Sequence, residues 1–497
     1  MSEHDQPRPR SRSRSTNAEQ PLARLELATL AHVGVLVVFA AWWLGGNTLL
    51  ARTLLSIWGT LGVAITVAAA LKRGQSSDRL RPLRWLWPLA LFNAMVIASC
   101  FNPSFREVTD ETRNFFVEDR ARLLLPSTAR PLHTLQTLWF FDAVYLSCFN
   151  LLLVVRQRRA LRALLLILAG NALLLAVFGT AQKLVGAKGL FFGFIDSPQV
   201  YFFSSFIYHN HWGAFTVLMT ALSLGLVAHF ARRSASRDFW HSPVPSGLVA
   251  ILLLAASIPL SASRSSTVLI LLLLAIGLVH WLWRFLRRRR GGLTEKSTLL
   301  PLVAAIAALG LGGAFAYTLA RPVIEHRLEI TQEQIAQMRS RGDFGSRAIL
   351  YRDTWNMARE KPWFGWGMGA YPTAFFSRNT QQTSPIDGLP QYYHDAHSDW
   401  LQSASEVGLI GTTLLGLCAL VPLWGSRRGL TQSPLPIYLL IGCGSVVLYA
   451  ALEFPFGNRA VICVWWTCFF SALHYARADR ASTGSADPAD SRSARLS

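Results

Sequence analysis

Charge is what this chain has least of, and what there is leans one way. Of its 497 residues 15% are charged, and Lys plus Arg outnumber Asp plus Glu by 48 to 28. Soluble domains carry about a quarter charged residues, so an ordinary soluble protein is excluded. The short signatures of divalent-metal sites, Asp-x-Asp and His-Glu-x-x-His, are missing, so no metal site has sequence support. Six cysteines (Cys100, Cys148, Cys418, Cys443, Cys463 and Cys468) form no Cys-x-x-Cys pair, which removes zinc and disulfide frameworks. They fall in or beside apolar blocks and read as small buried hydrophobes. No internal repeat is visible, which weighs against an inverted-repeat transporter. No small-residue cleavage site follows the basic N-terminal tail, so the first apolar run reads as a retained helix.

What is abundant is apolar sequence, 52% of the chain. It comes in blocks of about 17–24 residues, the length that crosses roughly 30 Å of hydrocarbon. The expected fold is all-α, a polytopic membrane protein of about twelve transmembrane helices with one long outer loop containing short helices. The helices are expected at 27–44, 49–71, 85–101, 135–155, 161–184, 210–231, 246–262, 266–286, 298–320, 402–424, 434–452 and 459–476. The formal charge of +20 is not one contiguous basic face, as nucleic-acid binding requires. It sits in short runs on every second connection, such as "RQRRALR" at 156–162 and "RFLRRRR" at 284–290, so nucleic acid is excluded as a partner. That pattern places the termini in the cytoplasm. The division is then a disordered basic tail (1–26), helices one to nine (27–320), a large outer loop (321–400), helices ten to twelve (401–476) and a second disordered tail (477–497).

This topology gathers titratable groups on the outer side. His209 and His211 flank Asn210 in "YHNHWGAF"; Arg264 interrupts apolar sequence in "SASRSST"; Arg347 and Arg352 lie in the long loop. "YYHDAHSDWLQSASEVGLIG" (392–411) supplies His394, Asp395, His397 and Asp399, and "EFPFGNR" supplies Glu453 and Arg459. Singly each has a plainer reading: Arg264 snorkelling from a helix end, His211 capping a helix, Asp399 and Glu406 favouring a helix dipole. Together they run against the positive-inside trend, and ionisable groups at membrane depth are functional by default.

Arginines suit a phosphate or diphosphate, which they grip bidentately without losing their proton. A histidine suits a general base that takes a proton from an attacking hydroxyl. With no metal motif, arginines are left to stabilise charge on a departing diphosphate. At a membrane-water interface the natural diphosphate is a polyprenyl-diphosphate-linked sugar.

At these residues the chain resembles the O-antigen ligase and polymerase-like membrane glycosyltransferases. "HSDWLQSASEVGLIG" is similar to the family's His-Asn-Asp-Tyr-Leu-Gln run followed by Glu-Leu-Gly-Leu-Ile-Gly. "KPWFGWGMGAY" resembles its Pro-Leu-Leu-Gly-Val-Gly-Leu-Gly segment, "SRAILYRDTW" the stretch before it, "HNHWGAF" its Asn-His-Phe-Ala-Gly helix start, and "LSASRSS" its Ser-Arg-Gly turn. "EFPFGN" resembles the acidic-Phe-Pro segment before the last helix. The likeness spans residues 165–470. Ser398 stands where the family has Asn, Ser265 where it has Gly, and His209 where an arginine is common.

The resemblance implies metal-independent, inverting transfer of a glycan from an undecaprenyl-diphosphate carrier to an acceptor hydroxyl on the outer face of the bacterial cytoplasmic membrane. The acceptor it implies is lipid A core, a growing polysaccharide or a protein side chain, and no cofactor is implied. His397 matches the general base and Arg264 the diphosphate ligand. Arg347 and Arg352 are further candidates for that task, and His211 for structure or positioning. His209, His394 and Glu453 complete the candidate substrate-binding set. The alternative is a transporter of an anion or lipid-linked sugar that binds the same groups without bond chemistry.

Overall fold

A computed structural model describes residues 23–72, 80–109, 114–119, 125–199, 201–232, 241–290, 346–381 and 392–483, with isolated positions between 310 and 332. Helices dominate. Leaving aside the single turn Leu190–Gly193, in chain order they are α1 (Arg24–Trp42), α2 (Leu49–Leu71), α3 (Trp87–Cys100), α4 (Pro131–Leu153), α5 (Arg158–Leu184), α6 (His209–Phe230), α7 (Val244–Ser261) and α8 (Arg264–Arg290). The later ones are α9 (Ser346–Glu360), α10 (Tyr371–Phe376), α11 (Asp399–Ser426), α12 (Pro434–Tyr449) and α13 (Arg459–Thr483). Among the described residues nine helices are long and apolar enough to cross a membrane, and Pro434–Tyr449 is a shorter apolar one. The chain is therefore a multi-pass membrane protein. Apart from those isolated positions, the helix expected at 298–320 lies outside the described residues, as do most of the tails and the first part of the 321–400 segment.

The all-α expectation needs one correction. Between α3 and α4 lies an antiparallel hairpin, β1 (Phe105–Thr109) and β2 (Asn114–Glu118), with Phe105 opposite Glu118 and Thr109 opposite Asn114. "FREVT" and "NFFVE" carry the β-branched and aromatic residues that fit a pleated surface, a signal hidden by the surrounding helical pattern. Helix starts also differ by a few residues. α4 begins at Pro131 because a proline at the first helical position loses no hydrogen bond. α11 begins at Asp399, after Ser398 caps it by accepting from the Leu401 amide.

Lipid tails are as apolar as leucine, so helices associate through close approach of small residues and through hydrogen bonds. Gly59 and Gly62 of α2 lie against Ala143 and Ser147 of α4, where an added methyl group would clash. Beside them the Asn150 side chain donates to the Gly62 carbonyl at 2.7 Å. α6 is the central helix, buried along most of its length; Gly213 packs on Ser266 of α8 and Gly225 on Leu435 of α12.

The basic connections converge at one end of this bundle. Arg158 donates to the Tyr475 carbonyl at 3.2 Å, Arg162 meets His229 at 3.0 Å, and Arg232 reaches the Gln432 carbonyl at 3.3 Å. The loops that carry the candidate site residues lie at the other.

Candidate active site

The site is assembled by α9, the segment 392–398, the connection between α12 and α13, and the start of α6. At its centre is Glu453, whose side chain is 3% exposed. One oxygen, Oε1, accepts from Arg347 Nη2 at 2.7 Å. The other, Oε2, lies 3.8 Å from His397 Nδ1, within range of charge attraction but beyond a hydrogen bond. Tyr208 Oη donates toward the same oxygen at 3.5 Å. Burial alone would push the Glu453 carboxyl up, but the His397 imidazole and the Arg347 guanidinium outweigh it and hold the group below the ordinary carboxylate range. Arg347 is shifted to match: burial would lower its pKa, yet Glu453 raises it.

His397 is held on strained backbone. Its φ is 51°, in the left-handed region that side chains other than glycine rarely adopt. Three contacts keep it there. Its carbonyl lies 2.9 Å from the Tyr351 hydroxyl, the Ala396 amide donates to Gln402 Oε1 at 3.1 Å, and its ring meets the Phe454 ring edge-on with centroids 4.7 Å apart. The ring remains partly open, at 29% exposure. With a carboxylate facing Nδ1, the tautomer that carries its hydrogen there is favoured, which leaves the Nε2 lone pair available as a base.

Other candidate residues support this centre through the backbone. His211 is buried and its Nε2 lies 3.2 Å from the Phe454 carbonyl; because that partner only accepts, the ring must donate. It thereby fixes the residue next to Glu453. The Tyr208 ring stacks on Phe454, and its hydroxyl accepts from Asn210 Nδ2 at 2.9 Å. Asn210 Oδ1 in turn accepts from Ser263 Oγ at 2.7 Å, which ties the turn between α7 and α8 to the start of α6. Arg264 is the next residue, exposed at the first position of α8.

Arg352 turns elsewhere, to Asp353 at 3.2 Å and Thr380 at 3.0 Å. His394 lies edge-on to Tyr392, and His209 packs against Tyr201 and Tyr208. The described contacts of Arg352 and His394 thus lead away from the Glu453–His397 pair, whereas His209 adjoins it through Tyr208.

Two acidic residues do more than the dipole reading assigns them, which Asp399 still fits in the first turn of α11. Asp399 Oδ2 accepts from the Phe456 amide at 2.8 Å, pinning the connection that carries Glu453. Glu406 accepts from the Gly369 amide at 2.9 Å and the Tyr371 amide at 3.2 Å, so it holds the "WFGWGMGAY" loop onto α11. Opposite, α11 breaks at Gly408 (φ 64°, ψ −172°). There the loop backbone takes over, with the Leu409 amide donating to Pro362 at 2.8 Å and the Gly367 amide donating to Glu406 at 2.7 Å. Only glycine fits at Gly365 and Gly408, because a Cβ on either would strike the other segment's backbone.

The fold and the site define a multi-pass helical membrane protein with a histidine, a buried carboxylate and an arginine joined at one end of the bundle. Residues 249–416 match the O-antigen ligase family, a segment that includes Arg264, Arg347, Arg352, His394 and His397. The match makes this segment similar to that family. No curated protein matches the chain. Glu453, His209 and His211 lie outside the matched segment and join the site through the contacts above.

Proposed function

We propose that this protein transfers a glycan from an undecaprenyl-diphosphate carrier to an acceptor hydroxyl, on the outer face of the bacterial cytoplasmic membrane. The observation that carries the reading is the His397–Glu453–Arg347 constellation: a partly open imidazole faces a buried carboxylate that an arginine keeps ionised. The acceptor oxygen gives its proton to His397 Nε2 and attacks the anomeric carbon. The bond from that carbon to the diphosphate oxygen breaks, and its electron pair leaves with the diphosphate. One displacement inverts the anomeric centre. Glu453 stabilises the imidazolium that forms, as a carboxylate beside a catalytic histidine does.

Cationic side chains take the charge of the leaving group without a metal ion, with Arg264 a candidate at the mouth of α8 and Arg347 and Arg352 in the loop segment. The outward orientation is supported by Arg158, Arg162 and Arg232, which gather at the opposite end as the positive-inside rule requires of a cytoplasmic face.

The test is to incubate purified protein with radiolabelled undecaprenyl-diphosphate glycan and with lipid A core, polysaccharide and peptide acceptors in turn, with and without EDTA. The expected result is labelled acceptor with stoichiometric release of undecaprenyl diphosphate, unchanged by EDTA. Binding or flux of intact donor without that release would replace the enzyme with a transporter.

A further inference from the structure

A second cluster of cationic side chains lies beside the site, and none of the roles above uses it. It is formed where three helices begin. The turn between α1 and α2 packs on the start of α13, with Gly46 so close that an added Cβ would sit 2.7 Å from Arg459 Cβ. Arg459 Nη1 donates to the Gly457 carbonyl at 2.6 Å and reaches Asn47 Oδ1 at 3.4 Å. From α2, Arg52 Nη2 donates to Gln136 Oε1 of α4 at 3.4 Å. Arg130 caps α4, its guanidinium 4.7 Å from the centroid of the Phe116 ring. His133, one turn on, lies under the Gly369 loop.

Arg52, Arg130 and Arg459 lie within charge range of His133. Asp395 lies within charge range of both Arg459 and His397. Arg52, Arg130, His133 and Arg459 are all half-buried, so they do not lie on a fully solvated surface. Helix starts add to this charge. α2, α4 and α13 each point their positive ends toward the same region, and amides at such ends favour anions. Arg347 differs in having its charge matched at 2.7 Å by Glu453.

We infer that the cluster of Arg52, Arg130, His133 and Arg459 is a phosphate-class anion subsite that seats the phosphate or diphosphate of a lipid next to His397. It rests on the proposed function only in the choice of a lipid diphosphate as one source of that group; a phospholipid headgroup is the other. Guanidinium groups in half-buried positions take such oxyanions bidentately, and Asp395 sets the boundary between the subsite and the base.

The experiment uses the full chain in phosphatidylcholine nanodiscs, without acceptor, titrated calorimetrically with inorganic pyrophosphate and separately with farnesyl diphosphate. Arg52→Gln is expected to weaken both affinities by about tenfold or more, the range for one charge-assisted contact. Arg52→Lys should fall between it and wild type, and Arg232→Gln, at the far end of the bundle, should match wild type. A parallel arm counts phosphatidylglycerol retained by native mass spectrometry. Loss of retention in Arg52→Gln with pyrophosphate affinity unchanged assigns the subsite to a lipid headgroup. Wild-type affinity and retention in both Arg52→Gln and Arg459→Gln overturn the inference. Arg52, at the periphery, carries the test should Arg459→Gln not fold. Because no glycan is transferred, a failure of the transfer reaction leaves this result readable.

Discussion

The Arg347 guanidinium and the Glu453 carboxylate meet at 2.7 Å across 106 positions of sequence. The pair clamps the start of α9 to the connection before α13 and so sets the carboxylate that His397 faces. Removing Arg347 leaves a buried acceptor without its donor, which costs about 1–3 kcal/mol. With Arg347 half exposed, water takes part of the vacated role and the loss should fall at the low end. Arg347→Met is therefore expected to lower thermal stability more than the double variant with Glu453→Gln does relative to Glu453→Gln alone. A double-mutant cycle in detergent checks this, and strict additivity would show that the pair is not coupled.

The loop that follows α9 depends on Glu406. Its two oxygens accept from the Gly369 and Tyr371 amides, and a glutamine replaces one acceptor with a donor facing an N–H. Glu406→Gln is expected to destabilise by about 1–3 kcal/mol and to raise hydrogen exchange at Gly369 and Tyr371. Gly408→Ala should be worse, since it adds backbone strain and a clash with Trp363. Unchanged exchange at both amides in Glu406→Gln would show that the carboxylate does not hold the loop.

Much of this arrangement is legible in the sequence, for identifiable reasons. Histidine and arginine are conspicuous against apolar blocks, so His397, Arg347 and Glu453 stand out from the residue order alone. The tight turn ahead of Arg264 is also visible, because a charged residue interrupts an apolar stretch. Contacts between a side chain and a distant backbone amide are not visible. Nothing local tells Asp399 to hold Phe456 or Glu406 to hold Gly369, since neither amide has a sequence signature. Tyr208 escapes notice because a tyrosine beside two histidines looks like an interfacial aromatic. Arg52 and Arg130, near the starts of α2 and α4, look like ordinary flanking charges because only the packing brings their helices together.

Asp395 gives a pH test of opposite sign to Glu453. Burial raises its carboxyl above the ordinary range, against the lowering pull of Arg459 and His397. The folded chain therefore binds this proton more tightly than the unfolded chain, and ionisation costs stability. That cost is complete above the raised folded value and vanishes below the ordinary aspartate pKa of about 4. Asp395→Asn is expected to melt higher than wild type at pH 8, with the difference closing as pH approaches 4. For Glu453 the folded value is lowered, so its stabilisation is present above the ordinary glutamate value and is lost as pH falls through the lowered one. A constant or inverted difference for Asp395→Asn between pH 8 and 4 would contradict its assignment.

Arg264 should act on donor binding and leaving-group charge, whereas His397 should act on the proton. Arg264→Ala is expected to raise KM for the labelled donor and to lower kcat, with the pH profile of kcat unmoved. A displaced pH profile would instead place Arg264 in the titrating machinery.

The most direct measurement is transfer of labelled glycan by His397→Ala in the same membrane preparation as wild type, at equal amounts of folded protein. Loss of a general base lowers the rate by about 10²–10⁴-fold, with donor binding retained. Transfer at the wild-type rate in His397→Ala would show that His397 is not the base.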